Sequence, residues 1–322
     1  MANNDFLNVE SVSIRFSPKG PDVVDDISFV IKKGEILGIA GESGSGKTVT
    51  MLSILGLLPQ AIVKGSVEFN GTQLIGADKN TLNKIRGKKI GLILQNPFTA
   101  LDPMLNIGDQ ISEGLMSDGY SKTKAKKQAI SLLEDVGVPS PSKRISDYPH
   151  QFSGGMRQRI VIAIALSQNP ELLIADEPST ALDVRIQKQV MELIKKECNI
   201  RGMSLVLITH DLGLISNYTD RVLMMYAGKI VEDSPSEKMF HFPLHPYSKG
   251  LLDCLPNKNS KKNEFLPSIL GSPPQPKDFP SGCRFHPRCD YSKHNCQIDA
   301  HPPLKKYKWG RSGCIRVSEL DF

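Results

Sequence analysis

The stretch GESGSGKT at residues 41–48 decides which fold this sequence can adopt. It fits the pattern G-x-x-x-x-G-K-[ST], in which glycines let backbone N–H groups approach phosphate oxygens and Lys47 places a cation on the phosphates. The apolar run EILGIA (35–40) before it predicts a strand covered on both faces, and a helix is predicted from Lys47 to about Leu58. A glycine-rich turn is the alternative, but the order strand, loop, helix favours a phosphate-binding loop.

A second motif, LLIADEPSTALD (172–183), ends a predicted buried strand in two acids. Its four leading apolar residues place Asp176 and Glu177 at the carboxyl end of that strand, where ligands bind in open α/β sheets. We expect Asp176 to steady a magnesium ion through water, and Glu177 is a candidate general base for an attacking water molecule. Adjacent acids after a strand can also serve only to cap a helix, and this motif alone leaves that alternative open.

A third motif, FSGGMRQR (152–159), predicts a helix capped by Ser153 that begins with Gly154 and Gly155. The N-terminus of such a helix can bind an anion, because its N–H groups and its dipole both favour negative charge there. Serine-capped helices are common, so the motif is weak alone. It gains weight from its position shortly before the strand that ends in the two acids.

The order of the predicted elements indicates an α/β fold with right-handed crossovers. Further strands are predicted at 7–16 (an edge strand), 27–31, 66–70, 90–94 and 205–209, and helices at 154–167 and 184–199. Beyond about residue 240, proline becomes frequent and regular periodicity fades. We therefore place a boundary there, with one domain at 1–240 and an extension at 241–322.

Composition favours a globular protein and disfavours nucleic-acid-binding and membrane-spanning proteins. The chain has 322 residues, 39% hydrophobic and 23% charged, which is typical of a globular protein. Its net charge of +6 lies wholly in residues 258–322, so the main body lacks the basic surface that nucleic-acid binding requires. The longest apolar run, at 160–166, is far shorter than the roughly 20 residues of a membrane-spanning helix. The N-terminal residues show no secretory signal, which predicts a cytoplasmic location.

In their order along the chain, these motifs resemble those of ATP-binding-cassette (ABC) ATPases over residues 1 to about 240. The matching parts are the Walker A loop (Gly41, Ser43, Gly44, Ser45, Gly46, Lys47, Thr48), the Q-loop glutamine (Gln95), the cassette signature (Ser153, Gly154, Gly155), the Walker B end (Asp176, Glu177), the D-loop (180–183) and the switch histidine (His210). The resemblance implies a RecA-like parallel sheet with an antiparallel β subdomain and a helical subdomain at about 97–157. Met156 and Thr180 depart from the residues that many cassettes have there, and neither departure removes a phosphate-facing group.

The resemblance also implies how the residues would act. ATP would lie on the Lys47 loop of one subunit and be completed by Ser153, Gly154 and Gly155 of a second ABC ATPase subunit. Thr48 and Gln95 would bind Mg²⁺, Glu177 would activate water and His210 would contact the γ-phosphate. Phe16, on the first predicted strand, is the candidate aromatic that stacks on the base, and an ordinary core phenylalanine is the alternative.

Two further segments, NPFTALDPMLNIGDQISE (96–113) and PLHPYSKGLL (243–252), resemble the ATPases of bacterial dipeptide and oligopeptide importers. This resemblance implies peptide import through transmembrane permease subunits, with an extracellular peptide-binding protein acting indirectly. It also implies a partner ATPase, in a heterodimer or a homodimer, and a peripheral location on the cytoplasmic face of the membrane. The segment at about 96–114 is expected to dock the permease.

Other functions remain alternatives. The same ATPase could energise uptake of nickel or another small substrate, or it could serve DNA repair or translation without a membrane partner. The absence of a basic surface in the main body disfavours the nucleic-acid alternatives. A cassette that only assists assembly is a further alternative, which the intact Lys47, Asp176, Glu177 and His210 disfavour.

Four of the six cysteines lie in the last forty residues, at Cys283, Cys289, Cys296 and Cys314. In a cytosolic chain such clustering favours a metal over disulfides. Structural zinc usually shows two C-x₂₋₄-C pairs, which are missing here, whereas a 4Fe–4S cluster accepts looser spacing. The resemblance to importers that carry such a cluster favours 4Fe–4S, with Zn²⁺, reduced thiols or disulfides as alternatives. We expect this site to be remote from the phosphate loop.

Overall fold

The computed structural model describes residues 5–180, 182–255, 267–298 and 300–320. The strands are β1 (Asp5–Arg15), β2 (Val24–Lys32), β3 (Ile36–Ala40), β4 (Ile62–Phe69), β5 (Thr72–Gln73), β6 (Ile90–Ile93), β7 (Leu172–Asp176), β8 (Ser204–Thr209), β9 (Arg221–Tyr226), β10 (Lys229–Pro235), β11 (Lys305–Lys306) and β12 (Arg311–Ser312). The helices are α1 (Lys47–Ile54), α2 (Lys79–Ile85), α3 (Pro97–Ala100), α4 (Ile107–Ser117), α5 (Lys122–Asp135), α6 (Pro141–Arg144), α7 (Gly154–Leu166), α8 (Val184–Arg201), α9 (Leu212–Tyr218), α10 (Ser236–His241), α11 (Pro246–Asp253) and α12 (Asn295–Ile298).

The chain divides into two compact units. The first comprises Met1–Lys32, Ile36–Gly76 and Ile208–Phe322, and the second comprises Lys33–Glu35 and Ala77–Leu207. The phosphate loop, His210 and the extension after residue 240 therefore fall in the first unit. Gln95, the cassette signature and the acids after β7 fall in the second.

The first unit contains an antiparallel sheet in the order β2-β1-β4-β5. β1 pairs with both β2 and β4, so it is a central strand and the predicted edge position is wrong. Leu7, Val9, Val12 and Ile14 are buried, and the alternation is interrupted between Val9 and Val12, where the pairing with β2 is irregular. Such a pattern reports which face is buried and carries no information on how many strands lie alongside.

The first unit also contributes strands in the order β11-β12-β10-β9-β3. β3 runs parallel to β9 and all five of its residues are buried, which confirms the prediction of a strand covered on both faces. β9 and β10 were not predicted, although RVLMMY at Arg221–Tyr226 is an apolar run of strand length. The short strand β12 of the extension pairs antiparallel with β10, at Glu232 and Ser312.

The helix after the phosphate loop is shorter than predicted. α1 ends at Ile54, followed by Leu55 and then by Gly56 at a positive φ of 62°. A left-handed glycine just beyond the last turn is a common helix stop. The helix therefore ends before Leu58.

The second unit holds β6 parallel to β7, the beginning of β8, and the helices α2 to α8. The helices predicted at 154–167 and 184–199 are α7 and α8, with ends shifted by one or two residues. The predicted helical subdomain corresponds to α3 to α6, followed by α7. α7 is apolar on most of its surface, and it contacts α3, α4, α5, α8 and β6. Burial on several sides explains why its composition is so apolar.

The extension packs into the core of the first unit. The ring of Phe285 is buried between Tyr226 of β9 and Tyr247 of α11, with ring centroids 5.2 and 5.3 Å apart. The same cluster includes Ala40 at the end of β3. The extension and the strand that leads into the phosphate loop therefore share one hydrophobic core.

Among the residues that the structure describes, none of the helices combines the length and the apolar character that crossing a membrane would require.

Replacing Phe285 with Ala should destabilise the protein by about 3–5 kcal/mol, because it leaves a cavity between two buried tyrosine rings. Urea unfolding measures the change. Leu270→Ala is the control, since that side chain is exposed and its loss should cost less than about 0.5 kcal/mol. Equal midpoints for the two variants would show that the extension is not part of the core.

Candidate functional site

The phosphate loop has the backbone that its glycines permit. Gly41, Gly44 and Gly46 have φ values of 149°, 79° and 100°. A Cβ atom on Gly41 would lie 2.1 Å from the carbonyl oxygen of Met225 in β9, so only glycine fits beside that strand. Gly46 is the N-cap of α1 and supplies no capping side chain. A phosphate group is a typical partner for such a helix N-terminus.

Lys47 lies at the centre of this loop and is only 6% exposed. Its Nζ donates hydrogen bonds to the carbonyl oxygens of Gly41 (2.8 Å) and Glu42 (2.9 Å) and contacts the Ser45 hydroxyl oxygen at 3.3 Å. The loop is also supported from the turn after β9, because Gly228 N–H donates to the Ser45 carbonyl at 3.1 Å. Three oxygen atoms of the loop thus surround the Lys47 ammonium group.

Two other sequence-predicted residues of the first unit, His210 and Phe16, are exposed, whereas Thr48 is half-buried. His210 directly follows β8. Phe16 is 41% exposed and lies one residue beyond the end of β1, so its placement on the strand is wrong, and so is the alternative of a core phenylalanine.

In the second unit, the structure brings Glu177 together with Gln95. Asp176 is buried at the end of β7, and Glu177 follows it with a positive φ of 46°. Glu177 Oε2 accepts hydrogen bonds from Gln95 Nε2 (2.9 Å) and Thr180 Oγ1 (2.8 Å). A non-glycine residue in this conformation costs roughly 1–3 kcal/mol, and such strain is concentrated at functional sites. The contact of Thr180 with Glu177 could not be read from the sequence, where Thr180 stood out only as a departure from the family pattern.

The cassette signature opens α7. Ser153 is the N-cap, and its side chain accepts a hydrogen bond from Met156 N–H at 3.4 Å. A cation–π contact ties this helix to the segment after Gln95, because the guanidinium of Arg157 lies 4.4 Å from the ring centroid of Phe98 in α3. The signature and the segment at 96–114 are therefore physically connected.

The four cysteines of the extension line one pocket in the first unit, together with side chains that include His245, Phe285 and Tyr291. Burial raises the pKa of Cys283 to about 12 and that of Cys289 to about 11, and it also raises the pKa of Cys314. All six cysteines of the chain are free thiols, so the structure contradicts the disulfide alternative.

Within the described residues, no group of three or more His, Cys, Asp or Glu side chains is arranged to hold a metal ion. The thiol positions therefore give no support to the predicted metal site, and the Fe–S and Zn²⁺ assignments remain predictions.

The expectation that the cysteine site is remote from the phosphate loop is wrong. Arg288 directly precedes Cys289, and its guanidinium forms two hydrogen bonds to the carboxylate of Glu42, with Nη1–Oε2 at 2.7 Å and Nη2–Oε1 at 3.0 Å. Glu42 is the second residue of the phosphate loop. Folding thus brings residue 288 back onto residue 42.

A glycine-lined phosphate loop at the start of α1, paired acids after β7 and a serine-capped glycine pair opening α7 are the features of an ATP-binding-cassette ATPase. The family model described as "ABC transporter" matches residues 24–180. The model described as "Oligopeptide/dipeptide transporter, C-terminal region" matches residues 231–296, which include most of the extension.

Curated relatives extend over nearly the whole chain. It is 46% identical over 295 residues to a putative peptide import ATP-binding protein of Brucella abortus, covering 90% of this chain and 89% of that protein. It is 44% identical over 306 residues to the oligopeptide transport ATP-binding protein OppD of Bacillus subtilis (93% and 85% covered) and 42% identical over 323 residues to OppD of Salmonella typhimurium (98% and 96% covered). The chain belongs to the ATP-binding proteins of the oligopeptide/dipeptide family of ABC transporters.

Solved structures agree on the fold. The dimeric post-hydrolysis ATP-binding cassette MJ0796, bound to ADP and Pi, matches with a TM-score of 0.63 and 28% identity over 71% of this chain and 98% of that one. The cassette cbiO1 of Clostridium perfringens matches with a TM-score of 0.66 and 24% identity, covering 74% and 92% of the two chains. The predictions of an α/β ABC cassette and of ATPase activity are confirmed.

Proposed function

We propose that this ABC ATPase hydrolyses ATP to drive the import of dipeptides or oligopeptides through a membrane permease. The observation that carries the proposal is the identity of 42–46% to peptide-import relatives, which extends through the cassette and the extension alike. A cassette serving DNA repair or translation would not need the oligopeptide-transporter region matched at 231–296.

Within this proposal, Lys47 and the N–H groups of the loop hold the β- and γ-phosphates of ATP, and the exposed ring of Phe16 stacks on the base. Thr48 and Gln95 would hold Mg²⁺, and Asp176 would steady it. The ion neutralises phosphate charge when bound. His210 contacts the γ-phosphate. A second ABC ATPase subunit supplies its Ser153, Gly154 and Gly155 to complete the site.

Glu177 is proposed as the general base, and its hydrogen bonds suggest how it is controlled. Donors on a carboxylate stabilise its charged form and so reduce its affinity for a proton. Gln95 and Thr180 both donate to Oε2 of Glu177. If Gln95 held Mg²⁺ instead, its hydrogen bond to Glu177 would be released and that oxygen would be available to a water molecule.

Glu177→Gln should retain ATP binding and lose hydrolysis by at least about 100-fold, because the amide keeps the shape but cannot accept the proton. Lys47→Ala should instead weaken ATP binding itself. Glu192→Gln is the matched control, since Glu192 lies on the exposed face of α8 in a surface pair with Lys188 at 3.7 Å. Hydrolysis by Glu177→Gln near the wild-type rate would reject the base assignment.

The same variants test transport in a strain that lacks the gene. The wild-type and Glu192→Gln proteins should restore uptake of labelled dipeptide or oligopeptide, and Glu177→Gln should not. Restored uptake of nickel without restored uptake of peptides would refute peptide import while leaving the ATPase assignment intact.

We propose that the segment at about 96–114 docks the permease at the cytoplasmic face of the membrane, where the subunit would be peripheral. Three of its large apolar side chains are exposed: Phe98 at 57%, Met104 at 80% and Leu105 at 42%. Clusters of this kind mark interaction sites. Contact of Phe98 with Arg157 of α7 links the segment to the signature, so that docking and nucleotide state can be coupled.

Cysteine scanning tests the docking. A cysteine at Met104 should crosslink to cytoplasmic loops of the permease, with a yield that changes when ATP is added. A cysteine at Ile200 is the control, because this side chain is equally apolar and 67% exposed but lies at the end of α8. If no position from 96 to 114 crosslinks, the proposed docking surface is incorrect.

The partner ATPase is proposed to pair head to tail with this chain, as a heterodimer in the assembled transporter or as a homodimer. The matched cassette MJ0796 is dimeric. An extracellular peptide-binding protein would deliver the substrate to the permease without contacting this subunit. Nucleic acid is not among the proposed partners.

We also propose that Cys283, Cys289, Cys296 and Cys314 together hold a 4Fe–4S cluster. Four thiols lining one pocket is the donor set that such a cluster uses. Structural zinc usually uses paired C-x₂₋₄-C spacings, and the spacing of these four cysteines contains none, which favours the cluster over Zn²⁺.

Protein purified without oxygen should be brown and contain about four iron atoms per chain. Replacing any one of the four cysteines with Ser should remove the iron, whereas Cys254→Ser should not, since the Cys254 thiol donates to the Gly250 carbonyl within α11. Loading should fall in acid, because ligation releases protons from thiols whose pKa is raised. One zinc per chain and no visible absorbance would overturn the cluster assignment.

A further inference from the structure

Glu42 is held on three sides within the first unit. Its side chain pairs with Arg288. Its N–H donates to the hydroxyl oxygen of Tyr247 at 2.8 Å, and its carbonyl oxygen accepts from Nζ of Lys47 at 2.9 Å. One residue of the phosphate loop thus joins the phosphate-binding lysine to two side chains from beyond residue 240. Displacing Glu42 would therefore displace a partner of Lys47.

The pair between Arg288 and Glu42 differs from an ordinary surface ion pair. The Arg288 side chain is only 6% exposed. Its Nε donates to the carbonyl of Leu270 at 2.9 Å, and Nη1 also contacts the hydroxyl of Tyr226 at 3.3 Å. Exposed ion pairs contribute little to folding stability, because both side chains are mobile and solvated. Here the planar fork of the guanidinium is fixed by several partners, so it holds the carboxylate in one orientation.

The segment that carries the cysteines determines where Arg288 lies. A tight turn between Cys283 and Cys289 contains it, with Arg288 N–H donating to the Phe285 carbonyl at 3.0 Å and Cys289 N–H to the His286 carbonyl at 3.3 Å. The start of this turn is tied to the third cysteine, because Cys283 N–H donates to the Cys296 carbonyl at 2.9 Å. A change in how the four thiols are held would therefore move the guanidinium.

We propose that Arg288 is a positioning residue for the phosphate loop, and that through it the state of the four-cysteine site sets the affinity of this ATPase for ATP. Assembly of the cysteine site keeps Arg288 on Glu42, and Glu42 keeps the loop and Lys47 in the geometry that binds phosphate. Loss of that assembly releases Glu42 and weakens nucleotide binding. The inference rests on the proposed function, since ATP is the ligand whose affinity changes.

The positioning role of Arg288 is tested first. We would measure equilibrium binding of a non-hydrolysable ATP analogue to the full chain, together with the KM and kcat of hydrolysis. Arg288→Ala should weaken binding by at least about fivefold, the lower end of typical coupling between sites, and the KM should change by a larger factor than kcat. Arg288→Lys should lie between Ala and wild type, because lysine keeps the charge and loses the fork.

Arg311→Ala is the matched control. Arg311 lies in the same extension and also binds an acid, Asp233, with Nε–Oδ2 at 3.0 Å, but that acid lies on β10 and keeps a second partner in Arg221. ATP affinity should not change in this variant. Equal weakening by Arg311→Ala and Arg288→Ala would show a general loss of stability and overturn the proposal.

Double variants test whether the effect passes through Glu42 and originates at the cysteines. Arg288→Ala combined with Glu42→Gln should weaken binding no more than the worse single change. Cys289→Ser should weaken binding in the wild-type background and add nothing in the Arg288→Ala background, while Cys254→Ser should have no effect in either. Additive effects in both pairs would refute the coupling.

Failure of this inference can be told apart from failure of the proposed function. If the wild-type protein does not bind ATP, or binds it equally well after Lys47→Ala, the proposed function is wrong. If Lys47→Ala abolishes binding but Arg288→Ala binds as tightly as wild type, the ATPase assignment survives and the positioning role of Arg288 is refuted.

Discussion

Burying the ammonium group of Lys47 is the constraint on which the rest of the first unit depends. A cation that is 6% exposed is tolerated only when oxygen atoms surround it, and here the backbone of its own loop supplies them. That loop can close only because Gly41 lies against the Met225 carbonyl without a side chain between them. This close approach requires β9 beside β3. The pairing of β3 with β9 and the closed phosphate loop are therefore both needed to bury the Lys47 ammonium group.

The extension after residue 240 stabilises this arrangement through ion pairs. Its basic excess had no partner visible in the sequence, yet three of its arginines bind acids from the first 257 residues: Arg284 with Asp25, Arg288 with Glu42 and Arg311 with Asp233. Together with Phe285, these pairs fasten the extension to β2, to the phosphate loop and to β10. The charge of the tail thus serves internal pairing at these three positions.

In the second unit, hydrogen bonds hold an acidic residue in an unfavourable backbone conformation. Glu177 lies in a conformation that is unfavourable for a glutamate, and hydrogen bonds from Gln95 and Thr180 hold it there. Strain of this kind, stabilised by neighbouring side chains, is concentrated at functional sites. The same unit links its exposed apolar segment to the signature helix through Phe98 and Arg157.

The sequence by itself determined the chemistry of short segments: the phosphate loop, the acids after a buried strand, the capped glycine helix and the gathering of four cysteines. Each depends on residues that are neighbours along the chain, whose spacing sets local geometry directly. Only the tertiary structure decided that β1 is central, that Phe16 is exposed and that Arg288 meets Glu42. Those outcomes depend on which distant segments bury one another, such as Phe285 against Tyr226 and Tyr247. Local spacing carries no information about such pairings, because they follow from the burial and charge pairing of the whole chain.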